Sequence, residues 1–182
     1  MKRGLLPLGL ALLLVAVLWR WEEGERPAGE AVRTAAPDLV LTRFRAEQFD
    51  ARGRLLQRLE GEAYRHWRAR DLAEIDAPRL TLPARPATWS ARGRHARLLA
   101  DEYLVVTGAV TVERRRADEH LVLHSPQVRA WLSRRYLEGD GPVRLEAPWG
   151  EAEAGALAAD LAQDRVRLEG GVRSLYRPGG RG

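Results

Sequence analysis

The sequence predicts an all-β domain assembled from repeated strand pairs. One short phrase occurs three times: an apolar residue, three variable positions, a glycine, one spacer and a valine. Its copies are 103–110, 136–143 and 165–172, about 30 residues apart, the spacing at which a small supersecondary unit recurs and stacks on its neighbours. After residue 38 apolar and polar residues alternate in most segments, and no segment carries a convincing capped amphipathic helix.

The glycine of the repeated phrase lies inside a strand pattern. In the first copy four apolar residues share one face, with Gly108 inward between them: Leu104, Val106, Val110 and Val112. In the last copy the same face carries Val166, Leu168, Gly170 and Val172. A glycine inside a strand marks a bulge, a bend or the close approach of another group, so sheet curvature and a ligand on this face are both compatible with the repeat.

The remaining strands are predicted from shorter signals. Leu39 and Leu41 alternate with other residues, 55–63 places Leu55, Leu59 and Ala63 on one face around Gly61, and Leu80 and Leu82 lie between two prolines. Residues 50–53 form a turn between the first two strands, with Gly53 available for a positive φ. Residues 152–162 can be read as a helix, and we predict a strand there because the segment precedes the third copy of the phrase.

Composition narrows the function classes. The 182 residues suffice for one domain with a terminal appendage, and the absence of cysteine excludes disulfides and thiolate metal sites. The formal charge of +5 comes from many arginines, most of them predicted at outward strand positions, balanced by nearly as many acids. A solvated face is the first interpretation of these arginines, anionic lipid headgroups the second, and nucleic acid is not expected as a partner.

The first 21 residues are predicted to be a transmembrane anchor. Two cations, Lys2 and Arg3, precede the uncharged, leucine-rich run 4–19, and Trp19 and Trp21 flank Arg20 at its end. A cleaved secretory signal is the alternative, but no pair of small residues marks a cleavage site. The charge bias orients the amino terminus to the cytoplasm, so the bulk of the chain is expected outside it.

The predicted anchor and the predicted β-domain divide the chain into three regions. Residues 1–21 form the anchor, 22–37 are rich in proline, glycine and alanine and form a flexible tether, and 38–182 form the β-domain. The tether would hold the domain near the membrane.

An enzyme is not predicted. The sequence has no nucleophile elbow, phosphate loop, zinc-protease motif or dinucleotide fingerprint. His120 and His124 are four residues apart on a strand, about 13 Å, too far to close on one metal ion. The alternating carboxylates Glu60, Glu62, Glu151 and Glu153 lack a nearby nucleophile or base. No cofactor and no metal are expected.

Several segments together resemble the lipopolysaccharide export protein LptC family. They are the short amino-terminal anchor, the tether ending Ala36-Pro37, the hairpin 49–55, the run 75–81, Trp89-Ser90 and the closing segment 168–176. The likeness covers essentially the whole chain. The glycine-valine phrase is shared with other bridge components such as LptA, and the anchor together with the chain's size points to LptC.

The resemblance implies an open, twisted antiparallel β-jellyroll in the periplasm behind one inner-membrane helix, a single-pass protein of Gram-negative bacteria that serves outer-membrane assembly. The family accepts lipopolysaccharide from the LptB, LptF and LptG exporter, docks on it through the amino-terminal edge, and passes the lipid to LptA through the carboxy-terminal edge. The matching lipid-facing residues are Phe44, Ile75, Val166 and Tyr176. The glycine expected for assembly with the exporter is Gly53.

The pattern adds interior residues to this expectation. Leu104, Val106, Val110 and Leu168, with Val112 and Val143, would line an apolar trough for acyl chains, whose exposure to water costs about 0.8 kcal/mol per methylene. Two other classes stay open: an anchored envelope scaffold or adaptor whose interior is filled by its own side chains, and an enzyme acting on envelope glycans.

Overall fold

The computed structural model describes residues 36–83, 85–99 and 103–177, and these ranges form twelve β-strands. In these ranges no helix has the length and apolar character needed to cross a bilayer. The predicted anchor and most of the tether lie outside the described residues. One short 3₁₀ turn, Arg68–Arg70, interrupts the strands.

The strands follow one another through short turns. Their bounds are β1 Leu39–Phe49, β2 Leu55–Trp67, β3 Leu72–Asp76, β4 Arg79–Leu82, β5 Thr88–Arg92, β6 His95–Leu99, β7 Tyr103–Arg115, β8 His120–Trp131, β9 Tyr136–Ala147, β10 Gly150–Asp160, β11 Arg165–Glu169 and β12 Arg173–Tyr176. Every pairing is antiparallel, in one sheet that begins with β1 on β2 and ends with β11 and β12, both on β10. The predicted all-β class is confirmed.

A line of irregular positions crosses the sheet and divides it into two half-sheets. At this bend line β7, β8, β9 and β10 shift register, while β3 and β4, β5 and β6, and β11 and β12 are successive strands separated by a break. The first half-sheet contains β3, β6 and β11, and the second contains β4, β5 and β12. The long strands β1, β2 and β7 to β10 contribute one segment to each half.

The repeated phrase forms these bulges. Gly108, Gly141 and Gly170 all have positive φ, at 84°, 92° and 77°. In β7 the pair Gly108 and Ala109 lies between partners that are only two residues apart on β8, so two residues oppose one. A Cβ at Gly108 would lie 2.7 Å from the Cβ of Arg94, so the position requires glycine for both conformation and space. The glycines of the repeated phrase therefore bend the sheet, as the first of the two interpretations of the repeat predicted.

The hydrophobic core lies between the two half-sheets. The first half-sheet contributes Leu104, Val106 and Val128, and the second contributes Trp89, Val112 and Leu123, all at most 2% exposed. These side chains belong to one continuous buried cluster. Burying them on both inner faces is what holds the bent sheet closed.

Several local predictions can be compared with this structure. The turn 50–53 joins β1 to β2, with the Gly53 N–H donating to the Asp50 carbonyl at 3.0 Å. Residues 152–160 belong to β10, as predicted, and not to a helix. Two predictions were wrong. Ala63 pairs with Asp76, beyond the point where β2 changes faces, and Val172 is 50% exposed because Gly170 and Gly171 end β11 before it.

Candidate functional site

One apolar face runs across the whole inner side of the bent sheet. The predicted interior residues Ile75, Leu104, Val106 and Val110 belong to its buried cluster, and Phe44, Val166 and Leu168 pack against that cluster. The face therefore extends from β1 to β11 without a polar interruption in this set. Its centre and its two ends differ in accessibility.

At the amino-terminal end Phe44 and Ile75 meet across Gly61. A Cβ at Gly61 would lie 2.7 Å from Phe44 Cε1 and 2.8 Å from Ile75 Cγ2, so the glycine makes room for both side chains. The Phe44 and Tyr64 rings contact edge to face with centroids 5.6 Å apart. Ile75 is buried, whereas Phe44 is half-buried on the strand that forms the sheet edge. The two residues matched through the resemblance thus form one cluster.

At the centre the face is closed by the protein's own side chains. Leu104, Val106 and Val110 are each at most 2% exposed. The cavity between the half-sheets measures about 10 Å³, which is room for a single water molecule at most. Acyl chains could therefore reach these three residues only if the half-sheets separate.

One polar atom lies inside this packed centre without compensation. The Trp89 indole Nε1 is buried and has no hydrogen-bond partner among the described residues. Trp89 lines the small cavity, together with Val106 and Val112. An unsatisfied buried donor costs about 1–3 kcal/mol, so this position is less favourable than the aliphatic packing around it.

At the carboxy-terminal end the inner face becomes accessible. Val166 and Leu168 pair with the buried Ala159 and Leu157, which fixes both side chains on the inner side. Tyr176 pairs with Gly150 in the second half-sheet and is 68% exposed. All four residues of β12 are exposed, so this edge offers both an apolar surface and unpaired strand hydrogen bonds.

Opposite the bend line the free margins of the two half-sheets meet along a seam. Arg114, at the end of β7, donates two hydrogen bonds to Asp164, from Nε to Oδ1 at 2.7 Å and from Nη2 to Oδ2 at 2.8 Å. Arg114 also binds Glu119 at 2.7 Å, and Arg116 binds Asp164. These four residues, the seam network, connect the second half-sheet to the turn that follows β10. Farther along, Arg135 Nη2 donates to the Pro83 carbonyl at 3.2 Å.

The central pair of the seam network is buried, which makes its two charges interdependent. The side chains of Arg114 and Asp164 are 10% and 6% exposed. The hydrogen bonds from Arg114 lower the pKa of Asp164, and those to Asp164 raise the pKa of Arg114, so both groups stay charged at neutral pH. Sequence analysis missed this pair because 50 residues separate its members and neither belongs to a local motif.

On the outer face most of the arginines pair with neighbouring carboxylates. Arg45 binds Glu60 at 2.8 Å, and Arg144 binds Glu151 at 2.9 Å. These contacts occupy two of the carboxylates considered for an enzyme and fit the interpretation of a solvated, charge-paired face. His124 lies 3.9 Å from Glu146, and no group of three potential metal ligands occurs in the described ranges.

Gly53 lies at the tip of the β1–β2 hairpin. Its φ is 72°, and a Cβ there would have no neighbour within 4 Å. The position therefore demands glycine for its backbone conformation alone and leaves the surrounding surface open, as a docking position would require.

The comparisons with known proteins agree with this architecture. The family profile described as "Lipopolysaccharide-assembly, LptC-related" matches residues 8–177. The chain belongs to this family. Among solved structures it is similar to LptH of Pseudomonas aeruginosa, the LptA homologous periplasmic component of the lipopolysaccharide transport device, with 10% identity and a TM-score of 0.56 over 67% of this chain and 95% of LptH. No curated protein sequence matches.

Membership assigns this LptC family member a role in lipopolysaccharide transport. The likeness to LptH supports the fold alone, a bent antiparallel jellyroll. Between them they bear out the family recognised from the sequence and the jellyroll expected from it.

Proposed function

We propose that this protein is an inner-membrane-anchored periplasmic component that accepts lipopolysaccharide from the LptB, LptF and LptG exporter and passes it to LptA. Residues 1–21 would be the anchor, 22–37 the tether and 38–182 the lipid-handling jellyroll. The observation that carries the proposal is the apolar inner face that continues from Phe44 at one open edge to Val166 and Leu168 at the other.

Lipid passage on this face requires an opened state. Each acyl methylene moved into water costs about 0.8 kcal/mol, so the chains have to remain on apolar protein surface throughout the transfer. Because the central cavity of about 10 Å³ is too small for a chain, we propose that the half-sheets part at the seam. The Arg114–Asp164 pair would then separate, and Leu104, Val106 and Val110 would become the lining.

The partner assignments follow the two edges. Among the described strands β1 pairs only with β2, and β11 and β12 pair only with β10, so each end of this sheet has an unpaired side available for strand addition. We assign the amino-terminal edge and anchor to the exporter and the carboxy-terminal edge to LptA. Stacked jellyrolls would then present one continuous apolar path.

A photo-crosslinking amino acid at Val166 tests lipid passage in membranes that contain the exporter. We expect ATP-dependent capture of lipopolysaccharide at this inward position. The matched control is Arg167, the next residue of β11, whose side chain is exposed on the opposite face. Equal capture at the two positions, or none at Val166, would contradict the proposal.

A glycine pair tests exporter docking at Gly53. Gly53 and Gly171 have φ values of 72° and 77°, and neither has an atom within 4 Å of an added Cβ, so Gly53→Val and Gly171→Val impose the same backbone strain. We expect only Gly53→Val to reduce co-purification with LptB, LptF and LptG. An equal reduction would show that strain, and not the location, is responsible.

A scaffold without lipid passage is the second candidate, and the filled centre favours it. Such a protein would keep the anchor and both docking edges while its interior stayed closed. It predicts normal assembly with LptA and the exporter but no lipopolysaccharide adduct at Val166 or Tyr176.

A further inference from the structure

A ladder of large side chains crosses the outer face of the first half-sheet. It joins neighbouring strands in the order β2, β3, β6, β7, β8 and β9, through residues that are paired in the strand register or touch through their rings. We name it the aromatic ladder, and its members are Trp67, Leu72, Leu99, Tyr103, Trp131 and Tyr136. Each is half-buried. With about 4.8 Å between strands, the ladder is about 24 Å long.

The aromatic rings at its centre touch one another. Tyr103 and Trp131 have centroids 5.5 Å apart, and Trp131 and Tyr136 have centroids 5.8 Å apart. The Arg129 guanidinium lies 5.9 Å from the Trp131 ring. These residues alternate with the buried Leu104, Ala130 and Leu137, so their side chains lie on the outer face.

The ladder is only one residue wide. The next outward row on the same strands is mainly charged: Arg65, Glu74, Arg97, Val105, Arg129 and Glu138. A bilayer surface would require a broad apolar face, which this row interrupts. A single file of rings between charged and hydrogen-bonding groups fits instead a hydrated, amphipathic chain.

The ladder also meets the interior. Trp131 and Tyr136 belong to the residues that line the small cavity between the half-sheets, together with Leu137 and Leu161. The turn that follows β8 and precedes β9 lies at the free margin of the first half-sheet, beside the seam. A lipid with its chains inside the seam would therefore have its polar part next to the ladder.

We propose that the aromatic ladder is a glycan subsite, which stacks the sugar rings of lipopolysaccharide while the acyl chains occupy the inner face. This inference rests on the proposed lipid passage. Sugar rings present C–H faces that pack on the electron-rich faces of aromatic rings, while their hydroxyls can hydrogen-bond to the Tyr103 and Tyr136 phenols and to the adjacent charged row. Because the ladder crosses strands from β2 to β9, it follows the direction from one docking edge toward the other.

Two lipids with the same acyl chains test the subsite in the full-length, membrane-embedded protein. One is lipopolysaccharide with its core oligosaccharide, and the other is lipid A, which lacks those sugars. Binding is measured as concentration-dependent capture by a photo-crosslinker at Val166. We expect the double variant Trp131→Ala, Tyr103→Ala to weaken capture of the core-bearing lipid about fivefold and to leave capture of lipid A unchanged.

Two controls separate stacking from folding. Trp131→Phe retains a ring and is expected to preserve most of the preference for the core-bearing lipid. His124→Ala removes an exposed ring from the outer face of the second half-sheet, outside the ladder, and should change the capture of neither lipid. Equal weakening of both lipids by the double variant, or weakening of neither, would overturn the subsite. If the double variant also lost binding to sugar-free anionic vesicles, the ladder would be a bilayer contact and the glycan subsite would be overturned.

If the proposed lipid passage is wrong, the crosslinking result differs from the one expected for a missing subsite. Even the wild-type protein then captures neither lipid at Val166. Titration with the lipid-free core oligosaccharide, followed by saturation-transfer NMR, then tests the ladder by itself: binding that is lost in the double variant supports the subsite, and no binding to the wild type refutes it.

Discussion

The centre and the ends of the jellyroll use the same apolar face in different ways. At the centre, strands β7 and β8 bury Leu104, Val112 and Leu123 almost completely, against the opposite half-sheet. At the carboxy-terminal end the four residues of β12 are all exposed, and β1 at the other end has no residue that is fully buried. One face therefore serves as a core in its middle and as accessible surface at its edges.

This difference separates stability from recognition. The centre supplies the free energy of folding and leaves a cavity of only about 10 Å³. The ends contribute little burial but carry unpaired strand edges, which neighbouring jellyrolls can extend. Transfer of a lipid between the ends then depends on temporarily exchanging core contacts at the seam for contacts with acyl chains.

The largest loss of stability is expected from truncating a side chain in the buried centre. Leu123 is fully buried, so Leu123→Ala should lower the free energy of unfolding by about 3 kcal/mol through lost burial and the resulting cavity. Leu175→Ala at the exposed β12 should cost less than about 0.5 kcal/mol. Urea unfolding of residues 36–182 measures both, and similar losses would show that the edge is also part of the core.

The next largest loss of stability is expected from breaking the seam network. Asp164→Asn removes the carboxylate that accepts two hydrogen bonds from the buried Arg114 and leaves Glu119 as its other acidic partner, so the variant is expected to cost about 3 kcal/mol at pH 7. Because the folded pKa of Asp164 is lowered, its stabilisation is present above the unfolded pKa of about 3.9 and is lost as the pH falls through the folded pKa. The difference between wild type and variant should therefore shrink below about pH 4.

An exposed pair provides the comparison for the seam. Arg167 and Glu169 lie 3.0 Å apart with both side chains more than half exposed, so Glu169→Gln should cost less than about 0.5 kcal/mol. Thermal unfolding at pH 3 to 8 distinguishes the two pairs. A pH-independent loss in Asp164→Asn would contradict the assigned role of its charge.

The bend line should show an intermediate effect. Gly108→Ala adds a Cβ 2.7 Å from that of Arg94 and imposes a φ of 84°, so we expect a loss of about 2 kcal/mol. Gly171→Ala imposes a φ of 77° in open space and should cost about 1 kcal/mol. Denaturant midpoints give the difference between them, and equal losses would mean that the bulge relaxes without strain.

The smallest change in stability is expected at Trp89, whose indole N–H is the polar group of the buried centre that has no hydrogen-bond partner among the described residues. Trp89→Phe removes the unpartnered indole N–H but also some apolar volume, and these two changes oppose each other. The net change in stability should be within about 1 kcal/mol, measured by urea unfolding. A loss above about 3 kcal/mol would indicate that Nε1 has a partner in solution, such as a bound water.

Local patterns anticipated much of the fold. Alternation placed Leu104, Val106, Val110 and Val112 on the buried face because the side-chain period of a strand is fixed by its backbone. The turn residues 50–53 located the first hairpin, because Gly53 can adopt the positive φ that the turn requires. The prediction failed at Ala63 because β2 changes faces before that residue. Leu59 pairs with the buried Leu80 and Tyr64 with the buried Ile75, so a step of five residues separates two inward positions and the simple alternation is reversed.

The candidate site was anticipated unevenly. Phe44 and Ile75 were matched by resemblance, and the structure brings them together across Gly61. Val166 and Leu168 pack on the buried cluster, as alternation indicated, whereas Tyr176 is mostly exposed. Whether these residues bind lipid stays a prediction, because the closed centre is compatible with both a transporter and a scaffold.

The sequence by itself determined the strands, the glycine bulges and the family, because strand period, turn chemistry and the repeated phrase are properties of neighbouring residues. Only the tertiary structure decided that the centre is closed, that Arg114 and Asp164 join the margins of the seam, and that six strands align the aromatic ladder. Those features depend on contacts between residues far apart in the chain, which strand register brings together and local pattern does not encode.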